Sequence, residues 1–288
     1  MSDSYEQGTR RDSGYLRHPH LSGDHLCFVA EDDLWLAPLD GSERAWRLTV
    51  DRTKVATPRF SPDGRHIAYT SWRSILPEIH LIPVDGGAPS RRLTHWGSPD
   101  TEVRGWTPPD GEGRSDILAV ASHGEPFSYF TWAYKVRPDG EPGRKLPWGP
   151  VADIQSAEID GERRTLLLTG TPPHEPASWK RYRGGATGRL WLHGERLLAD
   201  LDGHLHSPMF VGGRIAFLSD HEGVGNLYSC AHDGSDLRRH TDHDAFYARH
   251  AASDGTRVVY QCAGEVWLVD DLAADAVPRR LDVRLGGA

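Results

Sequence analysis

The stretch FSPDGRHIAYTSW, Phe60 to Trp72, reads as a strand, a tight reversal and a second strand. The reversal is Ser61-Pro62-Asp63-Gly64. Proline presets φ for the first central position of a turn, aspartate bonds back to its own backbone, and glycine takes positive φ without steric cost. The flanking residues are β-branched, aromatic or alternating, as a packed sheet requires. One hairpin of this kind carries little information, so the remainder of the chain decides whether it belongs to a module.

The unit extends beyond the hairpin. After Val55–Phe60 and His66–Ser71 come a third strand, Glu78–Val84, a turn at Asp85-Gly86-Gly87, and a fourth strand, Arg91–Thr94. The same order returns around Ser22-Gly23-Asp24, Pro109-Asp110-Gly111, Asp160-Gly161, Gly212-Gly213 and Ser253-Asp254-Gly255. Successive copies lie roughly 40 to 50 residues apart, the period of four-stranded propeller blades. No helical periodicity outlasts two turns, which sets helical solenoids aside. The chain is therefore predicted to be all-β, a six-bladed β-propeller of four-stranded antiparallel blades. The blades fall at about 14–50, 51–95, 96–147, 148–200, 201–242 and 243–285 within a domain 14–285, and residues 1–13 form a disordered lead-in. A β-sandwich is the alternative. Because all six copies start and finish in the same order, no strand-exchange clasp is expected, and closure rests on packing of blade six on blade one. The long connections 95–104, 122–131 and 170–188 are expected to project from the two ends.

Composition bounds the function. The 288 residues carry 33 Lys and Arg against 41 Asp and Glu, a net charge of −8, which argues against a nucleic-acid partner. No apolar run approaches the ~20 residues of a membrane helix. The polar N-terminus does not read as a secretory signal. Cys27, Cys230 and Cys262 lie far apart in apolar runs and read as free thiols of a reducing compartment, which points to the cytoplasm. Nucleophile-elbow, H-E-x-x-H, P-loop and G-x-G-x-x-G patterns are missing, so no catalytic residue, metal site or cofactor is assigned. His18, His20, His204, His206 and the run His240 to Asp244, with His250 beyond it, read as solvated or hydrogen-bonded; one ring of the His18–His20 pair is expected to face the channel, and the later histidines fall on inter-blade loops. Glu31-Asp32-Asp33 reads as a turn. Trp35, Trp191, Trp267 and Tyr228 share one place in the third strand of their copies and read as inter-blade core.

One segment departs from this plan. PASWKRYRGGATGRLWL, Pro176 to Leu192, inserts a basic, aromatic, glycine-rich loop into an acidic protein. Trp179, Lys180, Arg181, Tyr182 and Arg183 are the candidate contacts for an anionic partner, a peptide C-terminus or a neighbouring domain, since arginine grips carboxylates in a two-pronged manner. The competing reading is a latch held by acidic loops of the same ring.

With these residues in view, the chain resembles the N-terminal six-bladed propeller of the tricorn protease family. EDDLWLAPLDG in the first copy, SWKRYRGGATGRLWL in the fourth and FSPDGRHIAYTS in the second carry the resemblance, the loop being its most specific part. The resemblance implies a large cytosolic serine peptidase, hexameric at full length, that trims short peptides downstream of the proteasome. It implies further domains: a second, seven-bladed propeller, a PDZ domain and two catalytic domains that hold the serine, the histidine and the rest of the charge relay. The six-bladed ring is then an exit route for peptides toward aminopeptidase partners. In the family an adjacent arginine pair, in the loop entering the third blade, anchors the substrate's C-terminal carboxylate. Here that loop reads HWGSPDTEVR, His95 to Arg104, and Arg91-Arg92 lies in the preceding strand, so the role falls to Arg104 or to another basic residue. Two other readings stay open: a stand-alone TolB-like interaction scaffold, and a propeller hydrolase with its site in the channel.

Overall fold

The computed structural model describes residues 14–170 and 180–286, and the lead-in and Trp179 lie outside them. Among the described residues there is no helix, and the strands form six four-stranded antiparallel sheets, each built from one consecutive segment. Blade one shows the pattern: Arg17–Ser22, His25–Ala30, Asp33–Pro38 and Trp46–Arg47, ordered from the axis outward. The Ser-Pro-Asp-Gly reversal of blade two is held as its residue types predict. Ser61 Oγ donates to Asp63 at 2.5 Å, Arg65 N donates to the same carboxylate at 3.1 Å, and Gly64 has φ of 71°.

Blades one and six do not exchange a strand; each forms its own sheet. Leu16, Leu21, Leu26 and Phe28 of blade one instead share a buried cluster with Ala252, Val259, Val266 and Leu268 of blade six. Backbone bonds add to this packing. Leu16 N donates to Gly264 O at 2.9 Å, and Ala45 makes a parallel bridge with Leu285.

Outer strands of only two residues hold little by backbone pairing alone, and a repeated side-chain clip fastens them. In blade two the buried Glu78 carboxylate accepts from Thr94 Oγ1, from Trp96 N at 3.1 Å, from Gly97 N at 2.9 Å and from Arg92 at 3.0 Å. Thr94 Oγ1 in turn accepts from Ile79 N at 2.9 Å. Asp33, Thr49 and Arg47 repeat this in blade one, and Asn226 with Thr241 in blade five. Asp33 is therefore both the first residue of its strand and a buried member of the clip. Each blade also sets an aromatic ring of its third strand directly opposite a basic residue of its fourth. The pairs are Trp35–Arg47, His80–Arg92, Tyr134–Lys145, Trp191–Arg196, Tyr228–Arg239 and Trp267–Arg280. Arg47 lies 4.6 Å over the Trp35 ring, a cation–π contact.

Connections in such blades alternate between ends. One groove is lined by the Ser61–Asp63 reversal together with Arg137–Asp139, so first-to-second and third-to-fourth turns share one end. Residues 95–101 and 122–131, and the described residues 180–188 of the third segment, are all on second-to-third or blade-to-blade connections. They therefore belong to the opposite end together, which corrects the expectation of two ends.

Removing the Glu78 carboxylate strands one buried hydroxyl, two part-buried backbone amides and an arginine. Glu78→Ala is expected to cost on the order of 3 kcal/mol. Glu78→Gln, which mimics the natural amide of blade five, should cost less than half of that. Urea unfolding midpoints check both, and a Glu78→Ala midpoint equal to the parent would remove the clip from the account.

Candidate functional site

The six innermost strands, Arg17–Ser22, Val55–Phe60, Glu102–Trp106, Asp153–Ile159, Leu205–Val211 and Arg249–Ser253, surround the axis. All six contribute to the wall of one axial chamber of 370 Å³. Five of these strands are bulged; that of blade four is regular. In four of the bulges a residue other than glycine takes positive φ: His18 at 49°, Thr57 at 47°, Ser207 at 49° and His250 at 50°. Three are followed by proline, which donates no ladder bond and suits a bulged edge strand. A β-branched threonine in that conformation is a strained residue, and such strain tends to gather at functional positions.

The bulges turn side chains toward the axis. Sequence reading puts one ring of the His18–His20 pair at the channel, but both lie on that side: His20 lines the chamber, and His18 meets His250 of blade six with centroids 3.9 Å apart. His206 and His250 stand on innermost strands, not on inter-blade loops as the sequence suggests. Burial, and after it the neighbouring cations and histidines, hold His18 and His206 well below the ordinary histidine range, so both rings are neutral at pH 7. Burial followed by Arg59 does the same to His20.

Arg104 belongs to the innermost strand of blade three, not to a connecting loop. It is buried, pairs with Glu102 at 2.6 Å and lies 3.7 Å from Asp153, while its Nε finds no acceptor. Arg59, from the next blade, donates through Nε to Arg104 O at 3.1 Å, and no carboxylate among the described residues lies within ion-pairing distance of it. Gln155 bridges Arg104 O at 3.0 Å and Asp153 at 2.9 Å. Trp106 Nε1 reaches Arg59 O at 3.0 Å, and Phe60 N reaches His20 Nδ1 at 3.3 Å. The wall is thus a chain of side-chain bonds running across blades one to four. Burial pushes Asp153 up to about 6, against the pull of Arg104 in the other direction. Among the described residues no three His, Cys, Asp or Glu side chains gather as a metal site.

The basic loop is far from bare. Arg181 N donates to Asp220 Oδ2 at 2.7 Å, and Arg183 Nη1 to Asp220 Oδ1 at 2.9 Å. His204 N shares that carboxylate at 3.0 Å. Arg181 Nε also reaches Gly223 O at 3.1 Å, and Lys180 lies 5.3 Å over the Tyr247 ring. Tyr182 Oη accepts from Ala186 N at 3.3 Å inside the loop. Arg183 is therefore ion-paired to blade five, and Arg181 is held there through its amide and a carbonyl, the latch geometry. The loop residues and Arg104 sit on different elements and do not form one constellation. Arg59, Asp153 and Asp220 are absent from the sequence-based candidates. The X-Pro dipeptides inside predicted strands are the signal that could have marked the channel bulges.

Six blades around a polar axial chamber define this chain as an all-β propeller. The sequence matches the family described as the tricorn protease N-terminal beta propeller domain over residues 13–275, and the chain belongs to that family. It is 79% identical over 284 residues to tricorn protease homolog 2 of Streptomyces coelicolor, covering 98% of this chain and 24% of that protein. It is 34% identical over 261 residues to the tricorn protease of Thermoplasma acidophilum, covering 88% of this chain and 24% of that protein. A crystal structure of the tricorn protease superposes with a TM-score of 0.83 at 28% identity, over 96% of this chain and 27% of that one. The chain thus spans about a quarter of the length of the relatives it matches. Among the described residues no helix is long and apolar enough to cross a membrane.

Two measurements test this wall and latch. Asp220→Ala leaves His204 N and Arg181 N without an acceptor and should cost on the order of 2–3 kcal/mol. Trypsin should then cut after Lys180, Arg181 or Arg183 at least several-fold faster; an unchanged digestion rate would contradict the latch. For Asp153, a folded pKa above the unfolded one means that its favourable contribution is complete below about pH 4. It is lost as pH rises through about 6, on the order of 3 kcal/mol in all. The stability of the parent relative to Asp153→Asn should fall across that window. A carboxyl NMR titration of Asp153 should have its midpoint near 6 and move upward in Arg104→Met.

Proposed function

We propose that this propeller is a non-catalytic module of a tricorn-like cytosolic serine peptidase, and that its axial channel governs the passage of short peptides or their products. The observation that carries this reading is the chamber itself, bounded by all six innermost strands and lined with groups bonded to one another across blades. A wall whose charges are largely matched from within holds a passing chain weakly, as passage requires. Arg59 and Arg104 are the cations on this path, and Arg104 is the residue through which a peptide carboxylate would be felt. The remaining domains of such a peptidase are the partners. In Sulfurisphaera tokodaii relatives of this chain are named as N-terminal and C-terminal subunits of a tricorn-like protease and match it over 180 and 70 residues, which supports its association with the remaining parts of such a protease.

The channel also holds one serine–histidine contact, Ser207 Oγ to His206 Nδ1 at 2.8 Å. No carboxylate among the described residues bonds to that imidazole to orient it, so the triad logic is incomplete. The isolated 288-residue chain should therefore hydrolyse fluorogenic tri- and tetrapeptides no faster than buffer. Turnover that survives repurification and disappears in Ser207→Ala would replace the passage reading with a hydrolase in the channel.

A further inference from the structure

The two ends of the ring differ in what they show to water. Exposed large apolar side chains are ordinary when scattered singly, and informative when they gather. Among the described residues Val50, Ile75, Phe127, Tyr129, Phe130 and Phe246 are exposed, and every one sits on a second-to-third or blade-to-blade connection. All therefore belong to the end opposite the Ser-Pro-Asp-Gly reversals. Leu237 and Val277 lie on third-to-fourth turns at the reversal end, Trp46 follows such a turn at the head of an outer strand, and Tyr15 precedes the first strand, so none of these four joins the group.

The densest group is the connection of blade three, where Phe127 is 67% exposed and Tyr129 and Phe130 meet edge to face at 5.3 Å. Its base is anchored. Glu125 N donates to Ser122 O at 3.0 Å, Ser122 bonds Ser98 at 2.8 Å, Lys145 pairs with Glu125, and Tyr134 Oη donates to His123 O. Ile75, 96% exposed, stands on the corresponding connection of blade two, and Val50 on the connection entering that blade. An anchored loop that presents three aromatic rings to solvent is suited to fill a pocket in a partner, since aromatic side chains bring large contact area at low conformational cost.

We propose that this aromatic end of the ring is the face on which the rest of a tricorn-like polypeptide docks, with Phe127, Tyr129 and Phe130 at the centre of the contact. The proposal rests on the reading of the chain as a module of a longer peptidase. The relatives supply the occupant: about three quarters of their length lies outside the region matched here, and that remainder needs a surface of the ring on which to pack. Domain interfaces of this sort cover roughly 600–1,500 Å², and the aromatic end is the one with apolar surface to give to such a contact.

The test compares amide hydrogen exchange of the isolated chain with that of a chimera. In the chimera this chain replaces the matching region of the Streptomyces coelicolor relative, 79% identical to it. Amides of residues 123–131 and 73–77 should exchange at least about tenfold slower in the chimera, while the reversals near residues 62–64 and 138–141 stay unchanged. A double variant, Phe127→Asp with Phe130→Asp, should lose that slowing and keep the urea midpoint of the isolated ring. Slowing at the reversal end alone, or at neither end, overturns the proposal. If the chimera does not assemble, the same exchange experiment on the S. coelicolor protein itself decides the matter. Peptide hydrolysis by the chimera is read separately. Hydrolysis without slowing sinks the docking face and spares the passage reading; slowing with hydrolysis unaffected by changes in the channel does the reverse.

Discussion

Six wedges of sheet must close into a ring, and every other property of this molecule depends on that closure. The usual difficulty is the last seam, where the chain ends must be held against each other. Here the seam between blades six and one has the same material as an ordinary blade contact: Phe28, Leu26 and Leu21 against Val259, Val266 and Leu268. The Leu16–Gly264 backbone bond and the Ala45–Leu285 bridge add polar fastening on either side of that cluster. Apolar burial supplies most of the favourable energy, at roughly 25 cal/mol per Å². A seam with a full share of buried surface therefore has no physical need of a shared strand.

Closure also fixes what the axis is made of. Once the innermost strands are held in a ring, their inward side chains are forced together, charged ones included. Burying Arg59 and Arg104 in such a place would be costly if each lacked a partner. The wall meets that cost with Glu102 and Asp153 on one side and with main-chain carbonyls on the other. Asp153 shows the remaining tension: desolvation favours its neutral form more than the adjacent guanidinium favours its charge.

The architecture was legible in the sequence because turn chemistry is local. Ser61-Pro62-Asp63-Gly64 and its relatives state where the chain reverses, and counting reversals counts blades. The clip was not legible, although all its residues were in plain view, because Glu78 and Thr94 are brought together only by the antiparallel pairing of the third strand, which Glu78 opens, with the fourth, which Thr94 follows. Arg104 was taken for the end of a loop, since the bulge at that residue breaks the alternation that marks a strand. The basic run from Lys180 to Arg183 was legible as an anomaly. A latch was one of its two readings, but the acceptor was not legible, because Asp220 lies 37 residues beyond Arg183 and announces nothing by its own surroundings. The positions of the long connections followed from strand parity and could have been deduced by counting.

The bulged inner strands have a consequence for the lumen as a surface. Each blade ends toward the axis in a sheet edge, and an unprotected edge invites any extended chain to pair with it as an additional strand. Six such edges facing one another would make the channel adhesive to peptide backbone of any sequence. Pro19, Pro58 and Pro208 delete donors from three of those edges, and the left-handed residues before them bend the strands out of register with a would-be partner. The same devices that keep exposed sheet edges from aggregating on the outside of proteins are here turned inward, where they leave the inner edges poor templates for pairing with an extended chain.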